Sequence, residues 1–215
     1  MDIRHADPGG LRQRLSQVLA ARPLLRGLLR ALGAGGFCFV LAGAGLLDGP
    51  VPLALAPVCV LPFGSAAICA YLGAAAGYAV FWGLSAALEP VAAGFLLLAG
   101  SCLLADLVPD EQGWLASAAA GGIYALLGVI FVLRADGGLQ AALQLILRLV
   151  LLTLSVRMLS PAPANARLRP YAAAVCLLAG LVRVQLPFGV PLAVIPAAAI
   201  CVLAAAGPEA LAVGA

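Results

Sequence analysis

Two arginines, Arg148 and Arg183, interrupt long apolar runs and are the residues best placed to do chemistry there. A charge near the middle of a membrane span costs at least about 2.5 kcal/mol unless it is paired or hydrated. Arg148 lies near the middle of the run 139–159. We therefore expect it to face the interior of a helix bundle, with Glu89 or Asp106 as partner. The pair would be either a structural clamp or a contact to a substrate or ion, and Arg183 supports a weaker version of the same argument.

Other catalytic chemistry is poorly represented in the sequence. A serine protease or a histidine phosphatase within the membrane needs a histidine on a span, and the single histidine, His5, precedes every apolar run. An aspartyl protease within the membrane needs paired carboxylates on its spans. The carboxylates here lie instead at predicted helix ends, at Asp48, Glu89 and Asp106. The cysteines are scattered singly, without the spacing of a metal site. The sequence predicts no catalytic, cofactor-binding or metal-binding residue in this chain.

The composition defines the elements that must position these side chains. Of 215 residues, 64% are apolar and 10% are charged, and the mean hydropathy is +1.12. Soluble domains are nearer half apolar and a quarter charged, so a soluble enzyme is excluded. Unbroken apolar runs indicate helices rather than alternating barrel strands. We predict an all-α, polytopic helical membrane protein.

Arginine distribution predicts the orientation of the chain. All 12 basic residues are arginines, and half of them precede the first long apolar run. The positive-inside rule then places the N-terminus in the cytoplasm of a multi-pass cell-membrane protein. Residues 1–30 form an Arg-rich segment that either lies amphipathically on the inner face or only places snorkelling arginines there. This charge suits anionic lipid and not nucleic acid.

About eight transmembrane or re-entrant helices are expected within a membrane domain 31–206, followed by a tail 207–215. The uncharged stretch 49–88 would be about 60 Å long as one helix, twice the hydrocarbon thickness, so it must fold back. Eight crossings return the C-terminus to the cytoplasm and keep the arginines of the linker 160–170 inside. The expected segments are 31–47, 51–64, 66–88, 89–106, 114–133, 139–159, 171–185 and 190–206.

A repeated Leu-Pro-Phe-Gly sequence marks two of the expected helix breaks. It occupies 61–64 and 186–189, with Pro62 and Gly64 in one copy and Pro187 and Gly189 in the other. Two copies in opposite orientations would resemble the broken helices of an inverted repeat. The alternative is that the repeat reflects helix-end chemistry or chance in a chain rich in Ala, Leu and Gly.

Small residues spaced four apart predict close helix packing. The pairs are Gly73 with Gly77, Ser117 with Gly121, and Ala118 with Gly122. Such pairs let helix backbones approach where burial from water supplies no driving force. They also predict a homo-oligomer within the lipid bilayer.

The sequence around the first break resembles the N-terminal membrane region of stage II sporulation protein E, a family of endospore-forming Firmicutes. The residues that carry the resemblance are Leu61, Pro62, Phe63, Gly64, Leu72, Gly73, Ala74, Gly77, Tyr78, Phe81, Trp82 and Gly83, with Arg183 and 186–189 further on. The resemblance covers about residues 24–206.

The resemblance implies a membrane anchor of about ten helices, followed in the family by a manganese-dependent serine/threonine phosphatase domain. That domain acts at the asymmetric division septum on an anti-anti-sigma factor, which activates a forespore sigma factor. The 215-residue sequence contains no such domain, so manganese is expected only outside it. We therefore expect an anchoring and self-associating chain, with cell-division or sporulation proteins as partners.

A second resemblance leads to a different function. Gly49, Pro50, Val51, Pro52 and Leu53 through Leu61 are similar to the first half of biotin-specific substrate-binding subunits of energy-coupling-factor transporters. Those proteins usually have six spans and bind a vitamin. Under this alternative Arg148 is the best candidate for a carboxylate contact.

Overall fold

A computed structural model describes residues 23–46, 49–104, 114–134, 138–161, 166–184 and 192. A two-stranded antiparallel hairpin, β1 (Gly45–Leu46) with β2 (Gly49–Pro50), and a 3-10 turn (Pro52–Ala54) follow the first helix. The α-helices in these ranges are α1 (Pro23–Leu41), α2 (Leu55–Val60), α3 (Ser65–Leu104), α4 (Trp114–Arg134), α5 (Leu139–Leu159) and α6 (Arg169–Leu181).

Four of these helices, α1, α3, α4 and α5, are long and apolar enough to cross a membrane. This agrees with a helical membrane protein, but the expected count of about eight is not supported. Helix α2 has only 6 residues and α6 only 13, so neither has the length of a regular span. The expected segment 190–206 lies outside the described helices.

Helix α3 is a helical hairpin rather than one rod. The Tyr71 hydroxyl lies 3.5 Å from the Val91 carbonyl oxygen, and the Tyr71 and Phe95 rings are 6.4 Å apart. Twenty residues of straight helix would separate such positions by about 30 Å. The chain reverses at Gly83, where φ is 76° and ψ is 162°, a conformation that essentially only glycine adopts.

The reversal corrects one predicted boundary. A new segment was expected to begin at Glu89 and Pro90. The chain instead turns at Gly83, and both residues lie inside the second half of α3. The backbone freedom of Gly83, and not Pro90, determines where the chain turns. Pro90 is buried within the helix, where it removes one backbone donor without ending the helix.

Helix α1 runs parallel to the first half of α3. A Cβ on Gly73 would overlap the Gly35 carbonyl oxygen, and a Cβ on Gly77 would lie 2.6 Å from the Phe39 carbonyl oxygen. The ring centres of Phe39 and Phe81 are 5.2 Å apart. Contacts therefore advance in the same direction along both helices. The intervening chain must return along the bundle.

The returning chain is the hairpin, the 3-10 turn and α2. It passes Tyr78, whose hydroxyl donates to the Val51 carbonyl at 2.9 Å, and then Gly94, which faces Leu55. Most of this stretch is buried. Pro62 and Gly64 lie in the non-helical connection between α2 and α3, where the sequence places a break. Pro187 and Gly189 lie outside the described residues.

Helices α4 and α5 form an antiparallel pair. The Ser117 hydroxyl donates to the Thr153 carbonyl at 2.9 Å, and Gly128 faces Leu145 further along. Helix α6 joins the bundle where Gly180 meets the backbone of Val40. The largest fully buried side chains include Tyr78, Tyr124, Leu41, Leu55 and Leu152.

These directions place charges at the two ends of the bundle. The starts of α1 and α6 and the end of α5 lie at one end, which we call the basic end. It carries Arg26, Arg30, Arg157, Arg167 and Arg169. The opposite end carries Arg134 and, next to the hairpin, Arg183.

Candidate functional site: a charge pair inside the bundle

The structure brings Arg148 of α5 to Glu89 of α3. Arg148 Nη1 lies 3.4 Å from Glu89 Oε2, and the two side chains are only 13% and 17% exposed. Asp106, the other expected partner, lies outside the described residues. The two opposite charges neutralise each other inside the bundle, as the energetic cost of an isolated charge requires.

Glu89 reaches this position because of the α3 hairpin. Glu89 was expected from the sequence at a helix end, and that prediction is wrong, since Glu89 lies within the second half of α3. The turn at Gly83 folds this half back beside the first, and the pair then joins α3 to α5. The pair thus connects helices that are far apart in sequence.

Tyr124 of α4 is the third member of the site, and sequence reasoning missed it. Its side chain is 1% exposed, and it lies close enough to Glu89 and Arg148 to interact electrostatically with both. A buried tyrosine hydroxyl needs a polar partner. A lone tyrosine in an otherwise apolar span is therefore a sequence signal for a polar site inside the bundle. Together the three side chains join α3, α4 and α5.

The β-hairpin closes the site against the guanidinium. A Cβ on Gly49 would overlap Arg148 Nη2, so a larger residue here would push the end of the arginine side chain out of its observed position. Arg148 Nε is buried and has no hydrogen-bond partner. The guanidinium is therefore paired on one edge, packed against backbone on another, and unsatisfied at one nitrogen.

Arg183 lies on the other face of the same hairpin. Its guanidinium carbon lies 3.7 Å from the centre of the Trp82 ring, and Trp82 Nε1 donates to the Ala42 carbonyl at 2.9 Å. A Cβ on Gly45 would overlap the Trp82 ring. Gly45 and Gly49 are not cross-strand partners and so point to opposite faces of the hairpin. Arg148 and Arg183 therefore do not form one site.

The small residues singled out from the sequence have different surroundings. Gly73 and Gly77 lie against α1, and a Cβ on Gly121 would lie 2.7 Å from Thr153 Cγ2 of α5. Gly122 is exposed, and nothing lies within 4 Å of its Cβ position. Three of the four glycines thus pack inside the bundle, whereas Gly122 and its neighbour Ala118 face outward.

The arrangement can hold three helices together. Within the ranges that the structure describes, no group of three or more His, Cys, Asp or Glu residues comes together. The site contains one carboxylate, one guanidinium and one phenol, which can exchange hydrogen bonds with each other.

Comparison with protein-family models, with curated proteins and with solved structures finds no match.

Proposed function

We propose that the chain is a membrane-anchoring and self-associating domain. The observation that carries the proposal is the Arg148–Glu89 pair, because these intramembrane charges bind each other and hold the bundle together. An intramembrane arginine that served a substrate would instead need a free edge and space beside it. Here Nη1 is on Glu89 and Nη2 packs against Gly49.

Self-association is assigned to the outward face of α4. Ala118 and Gly122 are four residues apart and exposed, with open space at the Gly122 Cβ position. In a bilayer such a pair lets a second helix approach closely. The partner in this proposal is a second copy of the chain.

The basic end is assigned to the cytoplasm by the positive-inside rule, because five described arginines lie there. With the basic end inside, α1 begins on the cytoplasmic side. The cytoplasmic C-terminus expected from the sequence remains part of the proposal, and residues 193–215 lie outside the described residues. The resemblance to stage II sporulation protein E extends the proposal to localisation at the division septum, with the phosphatase activity and its manganese in a domain outside these residues.

Counting chains per assembly in liposomes tests the self-association. Fluorescently labelled protein is reconstituted at high dilution in lipid, and photobleaching steps are counted for each spot. The proposal predicts assemblies of two or more chains for the wild type and mostly single chains for Gly122→Leu. Gly36→Leu is the matched control, because Gly36 is also exposed with open space at its Cβ position, but on α1. Single chains for the wild type would overturn the proposal.

One observation favours a second candidate, a substrate-binding transporter subunit. Arg148 Nε is buried without a partner, and a ligand carboxylate would satisfy it. Under this alternative, Arg148→Gln removes binding of a carboxylate such as biotin from a protein that still folds. Under the anchor proposal, biotin binds neither protein, and the substitution changes only folding or assembly.

A further inference from the structure

A cavity of about 300 Å³ opens near the basic end of the bundle. It lies between the end of α2, the second half of α3 and the first turns of α4. Its lining includes Cys59, Phe63, Leu97, Gly100, Ala119 and Ile123. The Ser101 hydroxyl, also in the lining, already donates to the Leu98 carbonyl at 2.8 Å. The cavity therefore offers an apolar wall with its polar side chain largely satisfied.

The position of the cavity determines what can fill it. Its walls belong to α3 and α4, which have the length and composition of membrane spans, and Phe63 in the lining is 46% exposed. In a bilayer, a cavity between two such spans borders hydrocarbon. A volume of 300 Å³ corresponds to roughly ten water-sized groups, which is the scale of a substantial part of an acyl chain.

The positive charge of the arginines at this end of the bundle favours a lipid with an anionic headgroup. Ser117, near the start of α4, bonds to Thr153, and Arg157 lies one turn beyond Thr153 on α5. Arginines of α1 and α6 lie at the same end. Guanidinium groups at a membrane surface attract lipid phosphates. The acidic residues Asp106, Asp110 and Glu111 of the α3–α4 connection lie outside the described residues.

We propose that this cavity holds one acyl chain of an anionic phospholipid whose phosphate lies among the arginines of the basic end. The site is separate from the Arg148–Glu89 pair and does not depend on self-association. The lipid fills space that the side chains of the described residues leave open between three helical segments. It thereby joins the returning chain to α3 and α4.

Native mass spectrometry of the full chain, released from detergent after addition of phosphatidylglycerol or phosphatidylcholine, tests this site. We expect one retained phosphatidylglycerol per chain and several-fold less phosphatidylcholine. Gly100→Leu fills the cavity from α3, where a Cβ meets only Ile123 at 3.7 Å, and should lower retention at least tenfold. Gly36→Leu adds the same side chain on an outward face and should leave retention unchanged.

A second cavity-filling variant, Ala119→Trp, is included so that the proposal can still be tested if Gly100→Leu does not fold. Far-UV circular dichroism identifies the variants that keep their helix content. A wild type that retains no phosphatidylglycerol, or a folded cavity-filling variant that retains as much as wild type, would overturn the proposal. Equal retention of the two lipids would overturn the role of the arginines.

Discussion

Neutralising both members of the Arg148–Glu89 pair should destabilise the protein by less than the two single losses combined. Removing one partner of a buried ion pair typically costs 3–5 kcal/mol, because the other charge is left buried and unpaired. The single contact of 3.4 Å is longer than a strong charge-assisted hydrogen bond, and Arg148 retains 13% exposure. We therefore expect Glu89→Gln to cost about 3 kcal/mol, near the lower end of that range.

Arg148→Gln should cost less, about 2 kcal/mol, because the Glu89 side chain left behind is the more exposed of the two, at 17% against 13%, and keeps Tyr124 beside it. The double variant should also lose only about 2 kcal/mol, since neither charge is left unpaired. These values give a coupling energy of about 3 kcal/mol, at the upper end for residues in contact.

Equilibrium unfolding in mixed detergent and dodecyl sulfate, followed by far-UV circular dichroism, measures the four free energies of unfolding. Leu154→Ala, an exposed position on α5, serves as a control and should change stability little. Single variants within about 1 kcal/mol of wild type, or a double variant as unstable as both single losses combined, would refute the reasoning.

Three further predictions concern the helix contacts. Gly83→Ala should lower the free energy of unfolding by about 1–3 kcal/mol, because alanine does not tolerate the backbone conformation of the α3 turn. The same unfolding assay measures this change, and an unchanged free energy of unfolding would contradict the turn at Gly83. Gly73→Leu should prevent α1 from packing on α3, so the protein should lose its cooperative thermal transition while Gly36→Leu keeps it. Trp82→Phe should lower stability by about 1 kcal/mol through loss of its hydrogen bond to Ala42, and a loss below 0.3 kcal/mol would argue against that contact.

The helical membrane class could be predicted from the sequence because it follows from composition. Apolar runs at 114–133 and 139–159 correspond closely to α4 and α5. The turn of α3 could not be located in the same way. Both Gly83 and Pro90 are local signals for a break, and only the tertiary packing of Tyr71 against the second half shows which one turns the chain.

The candidate site was partly predictable for a similar reason. The cost of a charge in hydrocarbon requires Arg148 to have an opposite charge nearby, and the sequence offers few carboxylates. The choice between Glu89 and Asp106 depends on how α3 folds back, which hydropathy does not encode. Tyr124 and Gly49 were missed because their roles arise from contacts between distant segments.

The most direct test of the anchor proposal is to count chains per liposome assembly for the Glu89→Gln/Arg148→Gln double variant alongside the wild type. If the pair only holds the bundle together, a folded double variant should form the same assemblies of two or more chains as the wild type. A wild type found only as single chains, or a folded double variant that no longer associates, would contradict it.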